Sequence, residues 1–423
     1  MKKRLFSLFW ALLLLLSACS NNEPSDTVET TQNSVASIEI LTDAETDLTM
    51  PLTPLEPEFI KQDIVSRDED GQLRYQAWST IVKDENDTLY VVVSKRLQHV
   101  DPFGHNVLYK STDGGETWTE GTVINDTPLD DRDAGLVYVG NGRMVMTYFC
   151  HPASMYIENS DKLYTKWQNN VTEAQKQAVL DRWAALSPQE KQGGSYVRIS
   201  EDYGKTWGDP IRVPISSPHG PTLLSDGRLL YVGKTSYTSE YVSGIYAFVS
   251  EDGGKTWTLL SRIRFFKGYT DSEFTEPYAM ELSNGRIMVA LRGGGEKFPE
   301  GLTTFLTYSD DGGKSWVTPY IVRENFTGAP AHLLQCADGT LIMTYSRRAN
   351  PCGIRVIISR DGGESWGEEY SLSNARDPAD SDLGYPSTAQ LADGTLLTVY
   401  YQHYRVDTYP SILYTKWKLV DSD

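Results

Sequence analysis

Apolar and polar positions along this 423-residue chain are grouped in short runs with few helical stripes. Six times a turn-forming pair precedes a run of apolar, β-branched and aromatic residues. These are Asn86-Asp87 before TLYVVVS, Asn141-Gly142 before RMVMTYF, Asp226-Gly227 before RLLYVGK, Asn284-Gly285 before RIMVALR, Asp338-Gly339 before TLIMTYS and Asp393-Gly394 before TLLTVYY. Such runs read as buried strands, and Asn-Gly or Asp-Gly supplies the positive φ of a tight two-residue hairpin. Successive turns lie 55, 85, 58, 54 and 55 residues apart, the spacing of a repeated four-stranded β-unit. One such sheet cannot bury both of its faces, so six of them packed around an axis predict an all-β, six-bladed β-propeller. The chain ends in the strand-like SILYTKWKL, and the stretch near residues 58–70 is expected to join the last blade and close the ring.

A second marker interleaves with the turns. Five segments have the form Ser-x-Asp-x-Gly-x-Thr/Ser-Trp, beginning at Ser111, Ser200, Ser250, Ser309 and Ser359, with central aspartates Asp113, Asp202, Asp252, Asp311 and Asp361. The Asp is suited to accept hydrogen bonds from its own turn, the Gly to allow the tight path and the Trp to pack between strands. That is a structural role. The 85-residue gap carries the helical exception: Thr172 to Gln192 places Ala174, Ala178, Leu180, Trp183 and Leu186 at helical spacing, with Thr172 as N-cap. It is expected to be an insertion packed over one edge of the propeller.

Charge removes one class of partner. With 57 acidic against 39 basic residues the net charge is −18, which repels nucleic acid. The 10 Trp, 25 Tyr and 12 Phe favour sheet and suit a surface that handles sugars. Four cysteines without a CxxC pair suggest neither a disulfide scaffold nor zinc, no HExxH is present, and no cofactor is expected. Cys336 and Cys352 could pair or remain free thiols, as could Cys150. At the N-terminus, Lys2, Lys3 and Arg4 precede the apolar run Leu5–Leu16, too short for a membrane span but the length of a signal-peptide core. The run ends in Leu16-Ser17-Ala18-Cys19, which resembles the bacterial lipobox. Residues 1–18 therefore read as a lipoprotein signal peptide, Cys19 as the lipidated residue, 19–56 as a disordered tether and 57–423 as the propeller. The expected location is outside the cytoplasm, anchored by lipid to the cell envelope.

The five boxes in a six-bladed pattern resemble the sialidase (neuraminidase) superfamily from about Tyr75 to Tyr401. The resemblance implies a glycoside hydrolase with an arginine triad for a carboxylate, an Asp acid/base, and a Tyr nucleophile assisted by a Glu. TEPYAMELSNGRIMVALRG is similar to the family segment that carries the Glu and a triad arginine, which implies Glu276 and Arg292. Leu383-Gly384-Tyr385-Pro386-Ser387 is similar to the segment before the last hairpin, implying Tyr385 as nucleophile. Arg347 or Arg348 matches the arginine before the last box, and Arg96 with Asp101 matches the Arg and the acid/base Asp after the first blade's strand. The remaining triad position departs: Tyr75-Gln76-Ala77-Trp78 has Gln76 where the family has Arg, with Arg74 two residues earlier on the same strand face. A Gln amide can donate to a carboxylate but brings no charge.

The chemistry of these residues stands beside the likeness. A phenol of pKa near ~10 needs a base to become a nucleophile, and Glu276 is of the right type. A neutral nucleophile suits an anomeric carbon that carries a carboxylate, which would repel Asp or Glu. The run Asp130-Asp131-Arg132-Asp133 reads as a salt-bridge cluster, as a source of Arg132 for substrate, or as a weak calcium site. His99, His105, His219 and His332 sit in loops where they could line a pocket. The function expected is an exo-glycosidase acting on terminal sialic acid or a related sugar acid of glycans; a non-catalytic glycan-binding propeller, or a same-fold enzyme for another sugar, are the alternatives.

Overall fold

The computed structural model describes residues 55–421 other than 69, 70, 72 and 158–161; the expected leader, Cys19 and most of the expected tether lie outside them. Six antiparallel sheets form the blades of a β-propeller. In chain order their innermost strands are Tyr75–Lys83, Arg132–Gly140, the short pair Ile215–Ser216 and Thr222–Leu223, Phe274–Glu281, Ala331–Gln335 and Gly384–Gln390. The runs seen in the sequence form the second strands: Leu89–Arg96, Arg143–Cys150, Leu229–Thr235, Ile287–Gly294, Leu341–Arg347 and Leu396–His403. They are apolar on both sides because each blade is covered by its two neighbours. Val91 and Val93 of the first blade, for example, pack with Leu397 and Val399 of the sixth at no more than 0% exposure each. Each such burial contributes about 1.5–3 kcal/mol.

Ring closure comes from the N-terminal side. Leu55–Ser66 pairs antiparallel with Pro410–Asp421 as the outermost strand of the sixth blade, from Leu55 opposite Asp421 to Ser66 opposite Ile412. The strand thus starts two residues inside the stretch that composition assigns to the tether. Gln62 fixes it laterally, its amide donating to Tyr400 Oη at 2.6 Å and to Ser373 Oγ at 2.9 Å.

The hairpin turns are mostly one residue longer than the two-residue type. Leu224 N donates to Arg228 O and Gly227 N to Leu224 O, and the same pair of bonds recurs at Leu282–Arg286, Cys336–Thr340, Leu391–Thr395 and Asp84–Thr88. This is a three-residue loop with its last residue left-handed, at φ 87° for Gly227 and 58° for Asp87. Asn141 and Gly142 alone follow the two-residue pattern with both φ positive, 52° and 81°. Each Ser-x-Asp box closes on itself: Ser111 Oγ donates to Asp113 Oδ1 at 2.8 Å and accepts from Gly115 N at 2.9 Å, while Thr117 N donates to Asp113 Oδ1 at 3.0 Å. Boxes and hairpin turns share one end of the blades; Ser111 pairs with Leu89, at the end of the strand opposite Arg96.

The insertion is larger than periodicity suggests. It opens with Ala153–Ile157, Lys162–Thr165 and a 3-10 turn at Lys166–Asn169, all too short to show a helical stripe, and continues through the helix Glu173–Ala184. Thr172 caps that helix in a reciprocal box with Gln175, at 3.2 and 2.9 Å. Trp183 Nε1 donates to Pro128 O at 3.1 Å, and Trp167 packs edge-on against Phe103. The insertion therefore braces a loop of the first blade, at Phe103, and the connection from the first blade to the second, at Pro128. Among the described residues no helix is long and apolar enough to cross a membrane, and Cys150, Cys336 and Cys352 are buried and unpaired.

Candidate active site

One backbone device recurs at the end of the ring opposite the boxes. The innermost strands of the first, second, fourth and sixth blades each carry a β-bulge, between Ala77 and Thr80, Arg132 and Gly135, Thr275 and Tyr278, and Gly384 and Ser387. The first bulged residue has a left-handed φ in every case: Trp78 56°, Asp133 46°, Glu276 48° and Tyr385 51°. A non-glycine residue held there costs about 1–3 kcal/mol, a strain that clusters at functional sites. The kink swings these four side chains toward the axis.

Two of the four meet directly. Tyr385 Oη donates to Glu276 Oε1 at 2.7 Å. Arg292 opposes Thr275 across the strand pair, beside the bulge, and its Nη1 donates to both Glu276 oxygens at 2.8 and 2.7 Å. Burial pushes the Glu276 carboxyl up, but the Arg292 charge and hydrogen bonds outweigh it and hold the group below its usual range. Burial and then the Glu276 charge raise the Tyr385 phenol well above its ordinary value, so the proton rests on Tyr385 in the free protein.

The sixth-blade bulge is set by its neighbour. Tyr385 N donates to Ser346 Oγ at 3.1 Å, and a Cβ at Gly384, where φ is 144°, would lie 2.5 Å from the same oxygen. Glycine is required there by the close approach. Arg348 follows Ser346 by two positions; its Nε donates to Leu383 O at 3.0 Å, its Nη2 to Tyr401 Oη at 3.3 Å, and its guanidinium lies 5.7 Å from the centre of the Tyr385 ring. Arg347 points the other way, onto Glu369 at 2.9 Å. Of the arginine pair left open by the sequence, Arg348 is the one beside Tyr385.

Four of the residues singled out in the sequence thus share one constellation: Tyr385, Glu276, Arg292 and Arg348. The others lie apart from it. The Trp78 ring lies 4.8 Å from the Arg96 guanidinium and 4.4 Å from that of Arg132, and is edge-on to Tyr385. Arg96 is fully buried and bonded to Asp130 at 2.7 Å, an arrangement that leaves it no surface for a ligand. Arg132 donates to Asp130 at 3.2 Å and to the His99 carbonyl at 3.2 Å. Asp101 is likewise without exposed surface, and both its oxygens are committed, to Gln98 N and Phe103 N at 2.7 Å each. Gln76 is fully buried, its amide without a partner among the described residues, and Arg74 stacks on Tyr409 at 4.5 Å.

Asp130 and Asp131 serve the buried cluster, Asp131 accepting from Thr127 N and Oγ1 at 2.7 Å each. Among the described residues no group of three or more His, Cys, Asp or Glu is placed to hold a metal ion. Asp133 differs from its neighbours: it borders, with Glu276, a cavity of about 480 Å³ that extends over Ser217, Lys234, Tyr237 and Tyr241. In the sequence Asp133 is one member of a charged run and Trp78 closes the Tyr75-Gln76-Ala77-Trp78 segment; nothing local marks a bulge at a non-glycine residue. Of the histidines, His99 sits at the rim against Tyr75 Oη at 2.5 Å and Asp382 at 3.3 Å. His219 and His332 are buried in the ring beneath Tyr385, with His332 stacked on Tyr278 at 4.3 Å.

Known proteins share this architecture. The BNR repeat-like domain family matches residues 157–398, more than half of the chain, and the BNR/Asp-box repeat matches residues 109–120. The anhydrosialidase of Macrobdella decora is 40% identical over 68 residues, a match that spans 15% of this chain and 8% of that protein. A protein of unknown function from Dyadobacter fermentans superposes with a TM-score of 0.67 at 21% identity, covering 86% of this chain and 99% of that one. The Trypanosoma rangeli sialidase in complex with sialic acid superposes with a TM-score of 0.53 at 15% identity, covering 87% and 59%. With its repeats and its six blades, the chain belongs to the BNR repeat-like domain family and folds as a six-bladed β-propeller, the fold it shares with the Trypanosoma rangeli sialidase.

Proposed function

We propose that this protein is an exo-glycosidase that removes a terminal sugar acid, sialic acid or a related acid, from glycans by a retaining route. Tyr385 is the nucleophile, Glu276 its base, and Arg292 and Arg348 grip the sugar carboxylate. The observation that carries this reading is the 2.7 Å bond from Tyr385 Oη to Glu276 between those two arginines. A purely sugar-binding surface has no use for a phenol aimed at a carboxylate.

The electrostatics give the pair a trigger. While Arg292 holds Glu276, the carboxylate is a weak base and the phenol keeps its proton. A substrate carboxylate arriving at Arg292 and Arg348 shares that positive charge and raises the proton affinity of Glu276. Proton transfer from Tyr385 then accompanies attack on the anomeric carbon. A substrate without the carboxylate leaves the base asleep, so the same contact that binds the sugar acid selects it. With Gln76 buried, the grip rests on two arginines. That arrangement favours sugar acids as a class over sialic acid alone.

The test is turnover of fluorogenic glycosides by the full chain: an α-sialoside, a related 2-keto acid, a uronide and a neutral hexoside. Release from an acidic member, abolished by Tyr385→Phe with binding retained, supports the reading. Silence across all four with measurable glycan binding would replace it with a non-catalytic binder. We further propose that the chain is exported and lipid-anchored through Cys19, on the Leu16-Ser17-Ala18-Cys19 sequence. Labelled palmitate should be incorporated by the natural chain and not by Cys19→Ala; equal labelling would refute the anchor.

A further inference from the structure

A retaining route needs a group that protonates the departing oxygen and later takes a proton from water, and the sequence pointed to Asp101. We propose that Asp133 performs that step in this protein, an assignment that rests on the glycosidase reading above. Asp133 sits at the second-blade position equivalent to Glu276 in the fourth blade and Tyr385 in the sixth, at the same bulge and with the same left-handed backbone. It borders the cavity that Glu276 also borders. Its Oδ1 is buried without a hydrogen-bond partner among the described residues, whereas both oxygens of Asp101 are held by backbone N–H groups. A carboxyl that exchanges protons with a ligand needs an uncommitted oxygen; Asp133 has one, on a residue that lines the cavity, and Asp101 has none.

The charges around Asp133 suit the acid. Burial pushes its carboxyl up, Arg132 and Arg96 pull it down, and Glu276 and Asp130 push it up again, leaving it at about 7. Tyr385, Tyr401 and Tyr237 face it as neutral phenols, each with its own pKa raised by burial first. Glu276, which borders the same cavity, is held low by Arg292. Two carboxyls on one cavity with affinities driven apart are the mark of an acid and a base.

The step balances as follows. Tyr385 Oη bonds to the anomeric carbon as the glycosidic C–O bond breaks; the phenol proton passes to Glu276 and the Asp133 proton passes to the leaving oxygen, which departs as an alcohol. Water then attacks the anomeric carbon, gives a proton to Asp133, and the Tyr385 oxygen leaves and regains its proton from Glu276. The sum is addition of water across one glycosidic bond.

The experiment compares two leaving groups on one sugar, the 4-methylumbelliferyl and the methyl α-glycosides of N-acetylneuraminic acid, with the full chain. Asp133→Asn keeps the shape and tolerates the left-handed backbone. It is expected to lose about 10²–10⁴-fold in kcat/KM on the methyl glycoside and far less on the aryl glycoside. Azide, which displaces the Tyr385 oxygen from the sugar without needing a base, should raise its turnover of the aryl glycoside and yield the glycosyl azide. Asp133→Glu, which keeps the acid, should recover the methyl glycoside in part. Equal loss on both substrates without azide rescue would overturn the assignment, as would the leaving-group signature appearing in Asp101→Asn instead. If the natural chain turns over neither glycoside, and Tyr385→Phe matches it, the glycosidase reading on sialosides falls and this assignment falls with it.

Discussion

Tyr385 and Glu276 lie 109 positions apart in sequence, in blades separated by a third, and yet are joined by a 2.7 Å hydrogen bond between side chains that leave identical strand bulges. The backbone, not the side-chain rotamers alone, aims them at each other. That relationship makes the pair rigid and its chemistry testable one residue at a time.

Glu276→Gln keeps the size of the side chain and removes the base. It is expected to lower kcat on an acidic glycoside by about 10²–10⁴-fold, with KM equal or lower because Arg292 no longer divides its charge between Glu276 and substrate. Steady-state rates on the fluorogenic sugar acid decide it; a kcat within ten-fold of the natural chain would mean Tyr385 does not depend on Glu276.

Arg348→Lys and Arg292→Lys exchange a planar fork for a point charge. Losing one charge-assisted bond of about 1.5–3 kcal/mol should raise KM for a sugar acid by roughly 10–100-fold. Arg347→Lys, whose guanidinium is on Glu369, should leave KM within a factor of ~3. An equal rise in all three variants would show a structural effect and not a carboxylate grip.

The dependence of kcat/KM on pH should be a bell. Glu276 must be ionised, and since Arg292 holds it below the usual 4.5, activity is lost on the acid side only below that value. Asp133 must carry a proton in the first step, so activity falls as pH rises through about 7. In Asp133→Asn the descending limb should vanish. A profile that keeps rising above pH 8 would contradict the pair.

Stability should follow two opposed sets of carboxyls. Hydrogen bonds from the neighbouring turn, first from Thr117 and Thr206, lower Asp113 and Asp202 to about 2. Their contribution is present above the unfolded value near ~3.9 and is lost as pH falls toward 2. Burial raises Asp101 to about 6 and Asp131 to about 7, so their contribution is complete below the unfolded value and is lost as pH rises through those figures. The midpoint of urea unfolding should therefore peak on the acid side, near pH ~4–5. Asp131→Asn should flatten the alkaline slope, and a peak at pH 8 would show that other groups dominate.

How much of this was legible in the chain depends on the range over which each feature is determined. The hairpins, the boxes and the Thr172 cap could be read because each is closed by residues a few positions apart; even there, the extra turn residue ahead of Gly227 escaped, since Asp-Gly serves both loop lengths. The strand near residues 58–70 was found because the last blade lacked a partner. Glu276, Arg292 and Tyr385 stood out by their surrounding segments. Trp78 and Asp133 did not: their left-handed backbones are imposed by neighbouring blades, and a Trp in a strand or an Asp in a charged run carries no local trace of that. The burial of Arg96 and Asp101 was hidden for the same reason. The insertion that covers their loops, from Ala153 to the end of the helix at Ala184, joins them only in three dimensions.

The pairing of Leu55 with Asp421 has a further consequence. The two ends of the described chain lie side by side in one blade, Leu55 on its outermost strand and Asp421 on the strand next to it. A linker of a few residues would join them into a circle, and the ring could then be cut at any exposed hairpin, such as that at Asp226-Gly227, without moving Tyr385, Glu276 or the arginines. The order in which the blades are written is thus separable from the geometry of the site: a circular permutant would be a different sequence with the same reactive centre, and the surface to which the protein is fused or tethered could be chosen blade by blade.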